Sequence, residues 1–129
     1  MKNSYQSFIT VRGYELDSYG HVNNAVYLQY YEQARWEMMK NLGFLDQLKD
    51  TGLSVVVVES LVRYMRETNI FDELLIESSY EEKSPFLIFN QRIIDRKSNL
   101  PVSRARIKTV FIGKDKVPQD IPRFLTRND

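Results

Sequence analysis

One helical stripe, standing alone among runs that read as strands, most constrains what this chain can fold into. From Asn24 onward, Tyr27, Tyr31, Ala34, Met38 and Leu42 recur at steps of three and four, which lines one face of an α-helix with apolar side chains. Glu32, Arg35, Glu37 and Lys40 fall largely off that face. Asn24 is a good helix-capping type, and Gly43 supplies the stop signal. The other regular segments have the character of strands. Residues 4–12 alternate weakly and end at Gly13. Residues 55–65 open on an unbroken β-branched run, too β-rich for a helix, and read as a long central strand. Residues 73–82 alternate, with Leu74, Ile76, Ser78 and Tyr80 on one face. Residues 86–95 and 102–112 are the last two strands, with turns at 69–72, at Ser84-Pro85 and at 97–99. A short tail from Pro118 to Asp129 carries a helical turn around residues 121–125.

The order is therefore strand, long helix, then four strands expected in a meander, an α+β domain with an antiparallel sheet. One amphipathic helix cannot cover both faces of a five-stranded sheet. The sheet is expected to curl around the helix, and a second subunit to cover the rest. The 129 residues contain no repeat, linker or low-complexity tract, so one domain spans residues 1–129.

Composition narrows the function classes. A net charge of +1 gives no electrostatic case for nucleic acid or for an anionic membrane. With no cysteine there is no disulfide, cysteine nucleophile or thiolate metal site. His21 is the only histidine, and a histidine-based zinc centre would need several. No segment is apolar enough to span a bilayer, and the first ten residues are too polar for a signal peptide. A soluble cytoplasmic protein is expected. There is no glycine-rich phosphate loop or dinucleotide fingerprint, so no bound cofactor is implied.

The densest signal runs from the first loop into the helix: Asp17, Gly20, His21, Val22, Asn23, Asn24, Tyr27, Tyr30, Glu32, Ala34 and Arg35. Residues 13–23 are rich in turn formers, so Asp17 lies in a loop just ahead of a helix N-terminus. That places a carboxylate beside unpaired backbone N–H groups and the positive end of a helix dipole. Capping a turn is the plain alternative for a loop aspartate. Gly20 suits a positive φ or close approach to a ligand. His21 reads first as a hydrogen-bonding anchor of the loop, with polarisation of water as the second reading. Asn23 and Asn24 suit capping. Tyr14, three residues before Asp17, could donate to its carboxylate, and a surface loop tyrosine is the equal alternative. Tyr27, Tyr30, Tyr31 and Trp36 read mainly as core packing. Glu32 and Arg35 are expected to pair at i,i+3.

This block, with residues 55–66 and 72–76 in support, resembles the 4-hydroxybenzoyl-CoA thioesterase branch of the hotdog superfamily, which also includes acyl-acyl-carrier-protein thioesterases. The resemblance covers residues 8–112 and implies a hotdog fold, a curved five-stranded sheet wrapped on one central helix. It implies hydrolysis of an acyl-CoA thioester, with Asp17 as nucleophile or as general base to water, and a site at the interface of a homodimer or homotetramer. In the short-chain branch a histidine stands at the position of Asn24. Asparagine does not titrate, so an aspartate–histidine pair is not expected here, and Asn24 is left to orient water or the acyl carbonyl. Glu32, on the central helix, and Glu59, in an apolar strand, are the reserve carboxylates. On the last strand Arg104, Arg106 and Lys108 share one face, spaced roughly 7 Å apart, with Arg92, Arg96 and Lys97 on or beside the strand before. Such cations suit coenzyme A phosphates or an acidic acyl carrier protein; a solvated outer sheet face is the equal alternative. Two other classes compete: a hotdog dehydratase or hydratase, which would pair a histidine with a carboxylate in a different motif, and a non-catalytic module that binds acyl thioesters.

Overall fold

The computed structural model describes residues 4–126. Its helix α1 spans Asn24–Asn41, and the cap is Asn23, whose extended backbone lets its side chain accept from the Ala25 amide at 2.9 Å. The stripe continues the pattern read from the sequence and is broader. Tyr30 and Met39 are buried along with Tyr27, Tyr31, Ala34 and Met38. A second helix, α2 at Phe44–Thr51, lies between Gly43 and Gly52, both in the left-handed region at φ 78 and 72. Phe44 and Leu48 are buried four residues apart on one face of this helix, a helical signal beyond Gly43, where the sequence reading ends the helical region. A short α3 closes the tail at Arg123–Thr126; the rest of the expected tail, to Asp129, lies outside the described residues.

The strands are β1 (Tyr5–Thr10), β2 (Ser54–Tyr64), β3 (Glu73–Lys83), β4 (Phe86–Asp95), β5 (Pro101–Ile112) and a two-residue β6 (Pro118–Gln119). All pairings are antiparallel, in the order β1-β3-β4-β5-β2, with β6 added at the end of β5. This corrects the four-strand meander: only β3, β4 and β5 are consecutive neighbours. It also moves residues 55–65 from the middle of the sheet to its edge, beside β5. Burial shows the difference, for Val56, Val57, Val58 and Leu61 are all exposed. A bulge between Val57 and Glu59 shifts the register. It sets Glu59 opposite Lys108 on the outer face, which accounts for a charge within so apolar a strand.

Because β2 and β3 are not neighbours, residues 65–72 must cross the end of the sheet. The crossing is tied down at each step. The amides of Met65 and Arg66 donate to the Val102 carbonyl, and the Phe71 amide donates to the Val11 carbonyl. The Val22 amide, from the loop before α1, donates to the Thr68 carbonyl at 3.0 Å. The crossing therefore carries Glu67 and Thr68 to the loop that holds Asp17.

The core lies between α1 and the inner sheet face, where Leu74, Ile76, Leu87, Phe89, Ile93, Ala105, Ile107 and Phe111 are buried. Polar ties cross it. The Tyr31 hydroxyl donates to Ser103 Oγ at 2.7 Å, and Ser103 donates onward to the Arg63 carbonyl at 2.8 Å. Gln91 Nε2 donates to the Tyr31 carbonyl and to Ser78 Oγ. Arg35 does not take the expected i,i+3 pairing; it turns inward, donating to Gln91 Oε1 at 3.1 Å with its guanidinium 5.9 Å from the Phe89 ring centroid. Among the described residues no helix is long and apolar enough to cross a membrane. Replacing Tyr31 with Phe should lower stability by about 1–2 kcal/mol, because Ser103 then loses a buried partner. Urea unfolding will measure this, and an unchanged midpoint would show that the Tyr31–Ser103 bond contributes nothing net.

Candidate active site

The loop before α1 is short and internally bonded. A 3-10 turn at Gly13–Glu15 leads into it, and an isolated bridge between Leu16 and Val22 closes its base. Asp17 organises the tip. Its amide donates to the His21 carbonyl at 2.8 Å, and its carbonyl accepts from Gly20 at 3.0 Å. Its Oδ1 accepts from the amides of Tyr19 at 2.9 Å and His21 at 3.3 Å. Gly20 sits at φ 81, the left-handed conformation the turn requires. Asp17 thus caps its own turn. Both of these bonds fall on one carboxylate oxygen, and a carboxylate carries two.

Asp17 lines a cleft of about 1010 Å³ together with Tyr19, His21, Asn24, Tyr27, Tyr64 and residues of the crossing segment. The cleft lies over the first turn of α1. There Asn23 occupies the amides of Ala25, through its side chain, and of Val26, through its carbonyl. Asn24, exposed, lines the cleft, and its carbonyl accepts from the Tyr64 hydroxyl at 3.2 Å. The Tyr27 hydroxyl shares a 2.7 Å hydrogen bond with Thr68 Oγ1, and burial raises the Tyr27 pKa, so the phenol stays protonated. His21 Nε2 stands 3.1 Å from Glu67 Oε2, an anchoring contact between loop and crossing segment.

The sequence-read residues divide. Asp17, His21 and Asn24 come together in the cleft, and Gly20 shapes the turn beneath Asp17. Tyr14 is not among the cleft residues; it is exposed, with the Arg12 guanidinium 5.5 Å over its ring. The reserve carboxylates also lie away from the cleft. Glu32 is exposed on α1, and Glu59 pairs with Lys108 at 3.7 Å. Arg104 and Arg106 line a separate hollow of about 540 Å³ on the sheet, with Arg63, Arg92 and Leu61. Arg63, Arg104 and Arg92 occupy one cross-strand row, in which Glu77 bonds Arg92. Lys108 lies outside this hollow, its ammonium 4.8 Å from the Phe86 ring centroid. Met65 lines both the hollow and the Asp17 cleft, so the two meet at that side chain.

Sequence reasoning missed Glu15. It is 5% exposed, and its carboxylate accepts from the Arg12 amide at 2.8 Å, the Arg12 guanidinium at 2.6 Å and the Tyr30 hydroxyl at 2.7 Å. Burial alone would push its pKa up; the bonds from Arg12 and Tyr30 outweigh burial and hold it below the usual carboxylate value. For Tyr30, burial and the adjacent carboxylate both raise the phenol pKa, which keeps it a donor. The only trace in the sequence is the spacing of three between Arg12 and Glu15, too common a pattern to stand out.

Comparison with known proteins agrees with this architecture. The profile of the thioesterase-like superfamily matches residues 11–128, and the chain belongs to that family. The long-chain acyl-CoA thioesterase FadM of Escherichia coli K12 is 39% identical over 77 residues, covering 60% of this chain and 58% of its own length. The chain thus spans less than two thirds of that relative. The acyl-CoA thioesterase YbgC of Haemophilus influenzae is 28% identical over 120 residues, 91% of this chain and 87% of its own. The crystal structure of Slr0204, a 1,4-dihydroxy-2-naphthoyl-CoA thioesterase from Synechocystis, superposes with a TM-score of 0.87 over 95% of this chain and 93% of its own. At 16% identity that likeness establishes the fold alone, the hotdog arrangement expected from the sequence.

Glu15 makes stability depend on pH. Its folded pKa lies below the unfolded value of about 4.5, so its contribution is whole above that value and is lost as pH falls through the folded one. Wild type should exceed Glu15→Gln in stability by about 1–3 kcal/mol at pH 7, and the gap should narrow steadily below pH ~4.5. Thermal unfolding of both proteins from pH 7 to pH 3 measures this; a gap that stays constant would assign the difference to shape rather than charge.

Proposed function

We propose that this protein hydrolyses acyl-CoA thioesters in the cleft before α1, with Asp17 as the reacting carboxylate. The observation that carries the reading is the position of Asp17: a carboxylate whose own turn engages Oδ1, lining a cleft at the N-terminus of an 18-residue helix. A thioester is already activated, so little more is needed than a nucleophile and donors for the developing oxyanion. Asp17 either attacks the carbonyl carbon directly, giving a mixed anhydride that water then opens, or takes a proton from the attacking water. In both cases the C–S bond breaks and the sulfur leaves as a thiolate, which takes up the proton that the water gives up. Asn24 is the donor available at the helix end, since Asn23 already occupies the next two amides. With asparagine at position 24 and His21 held against Glu67, the chemistry rests on Asp17 without a histidine partner.

Coenzyme A phosphates fit the hollow lined by Arg63, Arg104 and Arg106, because it joins the Asp17 cleft at Met65. Lys108 is a weaker candidate than the arginines, being paired with Glu59. FadM, the relative 39% identical over part of the chain, favours a long acyl chain. A homodimer or homotetramer is expected through the exposed edge of β2, on which Val57, Val58 and Leu61 are exposed and whose end brings Tyr64 and Met65 to the cleft. A second copy on that edge would pair its free backbone groups and wall the cleft.

Thiol release should be followed from acetyl- to palmitoyl-CoA, with benzoyl- and hydroxybenzoyl-CoA included, for wild type and Asp17→Asn. Wild type is expected to turn over acyl-CoA, and the variant to lose at least about a hundredfold in kcat. An active wild type beside an unimpaired variant would remove Asp17 from the mechanism. Binding without thiol release would favour a non-catalytic module, and an enoyl or hydroxyacyl product would favour a dehydratase or hydratase. Turnover of acyl carrier protein thioesters alone would name the other carrier. Size-exclusion chromatography of Leu61→Asp should show a smaller species than wild type; a wild type that is both monomeric and active would overturn the assembly.

A further inference from the structure

Glu15 is the one acidic side chain buried among the described residues, and the chemistry above makes no use of it. We infer that Glu15 is a positioning residue, whose ionised carboxylate sets where Asp17 stands relative to the first turn of α1. This rests on Asp17 being the reacting group.

Three observations converge. First, the carboxylate ties the segment that follows β1 to helix α1. Arg12 holds it from the strand side, and Tyr30, nearly two turns into α1, holds it from the helix side. Second, the backbone of Glu15 carries the other end of the loop. Its carbonyl accepts from the Asn23 amide at 3.0 Å, and Asn23 is the cap of α1. The side chain and the main chain of one residue thus clamp both ends of the segment from 16 to 23. Asp17 lies two residues inside that clamp. Third, all three groups facing the carboxylate are donors: an amide N–H, a guanidinium and a phenol that burial keeps protonated. An ionised carboxylate is acceptor-only and satisfies all of them. Glutamine would turn an NH2 group towards one donor, and the clamp would have to move to relieve it. A reacting group displaced by about 1 Å can cost about a hundredfold in rate.

The test compares Glu15→Gln, Tyr30→Phe and the double variant with wild type, at pH 7 and at a temperature where all are folded by circular dichroism. Kinetics on the best acyl-CoA substrate are read beside hydrogen–deuterium exchange of the amides of Asp17, Tyr19, His21 and Val22. A positioning role predicts a kcat about ten- to a hundredfold lower in Glu15→Gln with KM changed less than about threefold. It also predicts faster exchange confined to residues 17–22. Tyr30→Phe should show a smaller loss, and the double variant should be no worse than Glu15→Gln, because the two side chains act as one unit. Unchanged kcat with unchanged loop exchange would overturn the inference while leaving the thioesterase reading intact. So would a loss of stability alone, with kcat per folded molecule preserved. If wild type turns over no thioester, the proposed function fails separately, and loop exchange in Glu15→Gln then decides whether Glu15 positions Asp17.

Discussion

Burying a tyrosine obliges its hydroxyl to find a partner, because an unpaired polar group in the interior costs about 1–3 kcal/mol. Helix α1 buries three, Tyr27, Tyr30 and Tyr31, and each meets that demand in a different place. Tyr27 reaches Thr68 in the crossing segment, Tyr30 reaches Glu15 at the foot of the loop, and Tyr31 reaches Ser103 on the sheet. Apolar packing would hold the helix against the sheet, but it is non-directional and would tolerate rotation and sliding. Three directional bonds to three elements fix its rotation and its height. The cleft is assembled from those same elements, so its geometry follows from how the helix is pinned.

The sequence discloses what is periodic or compositional and conceals what depends on pairing. The helix was legible because steps of three and four are a local signal, and the strands from 73 to 112 because alternation is another. Asp17, His21 and Asn24 were legible as a group because they follow one another along the chain. The placement of β2 was not. A run of β-branched residues ordinarily marks a buried strand, yet here it marks an edge with Val57 and Val58 exposed. Nothing within residues 55–65 states that the partner is β5. The four-strand meander failed for the same reason, and with it any view of residues 65–72 as part of the site. Glu15 was hidden because burial of a charge is a tertiary fact, visible only once Tyr30 is seen to face it.

The cations divide along the same line. Strand alternation correctly put Arg104, Arg106 and Lys108 on one face. Register then separates them: Lys108 falls opposite Glu59, whereas Arg104 falls opposite Arg63, a residue with no apparent role in the sequence. Like charges set directly opposite each other repel. In that row Arg63 and Arg104 face each other, while Glu77 bonds Arg92.

The edge position of β2 has a consequence for how the chain is made. Its valines emerge early from the ribosome, but their partner residues on β5 lie about fifty residues further along. Until β5 appears, a strongly β-prone segment has no native neighbour, and pairings this distant in sequence form slowly. Four consecutive valines, Val55 to Val58, therefore wait without a hydrogen-bonding neighbour until the last long strand is made.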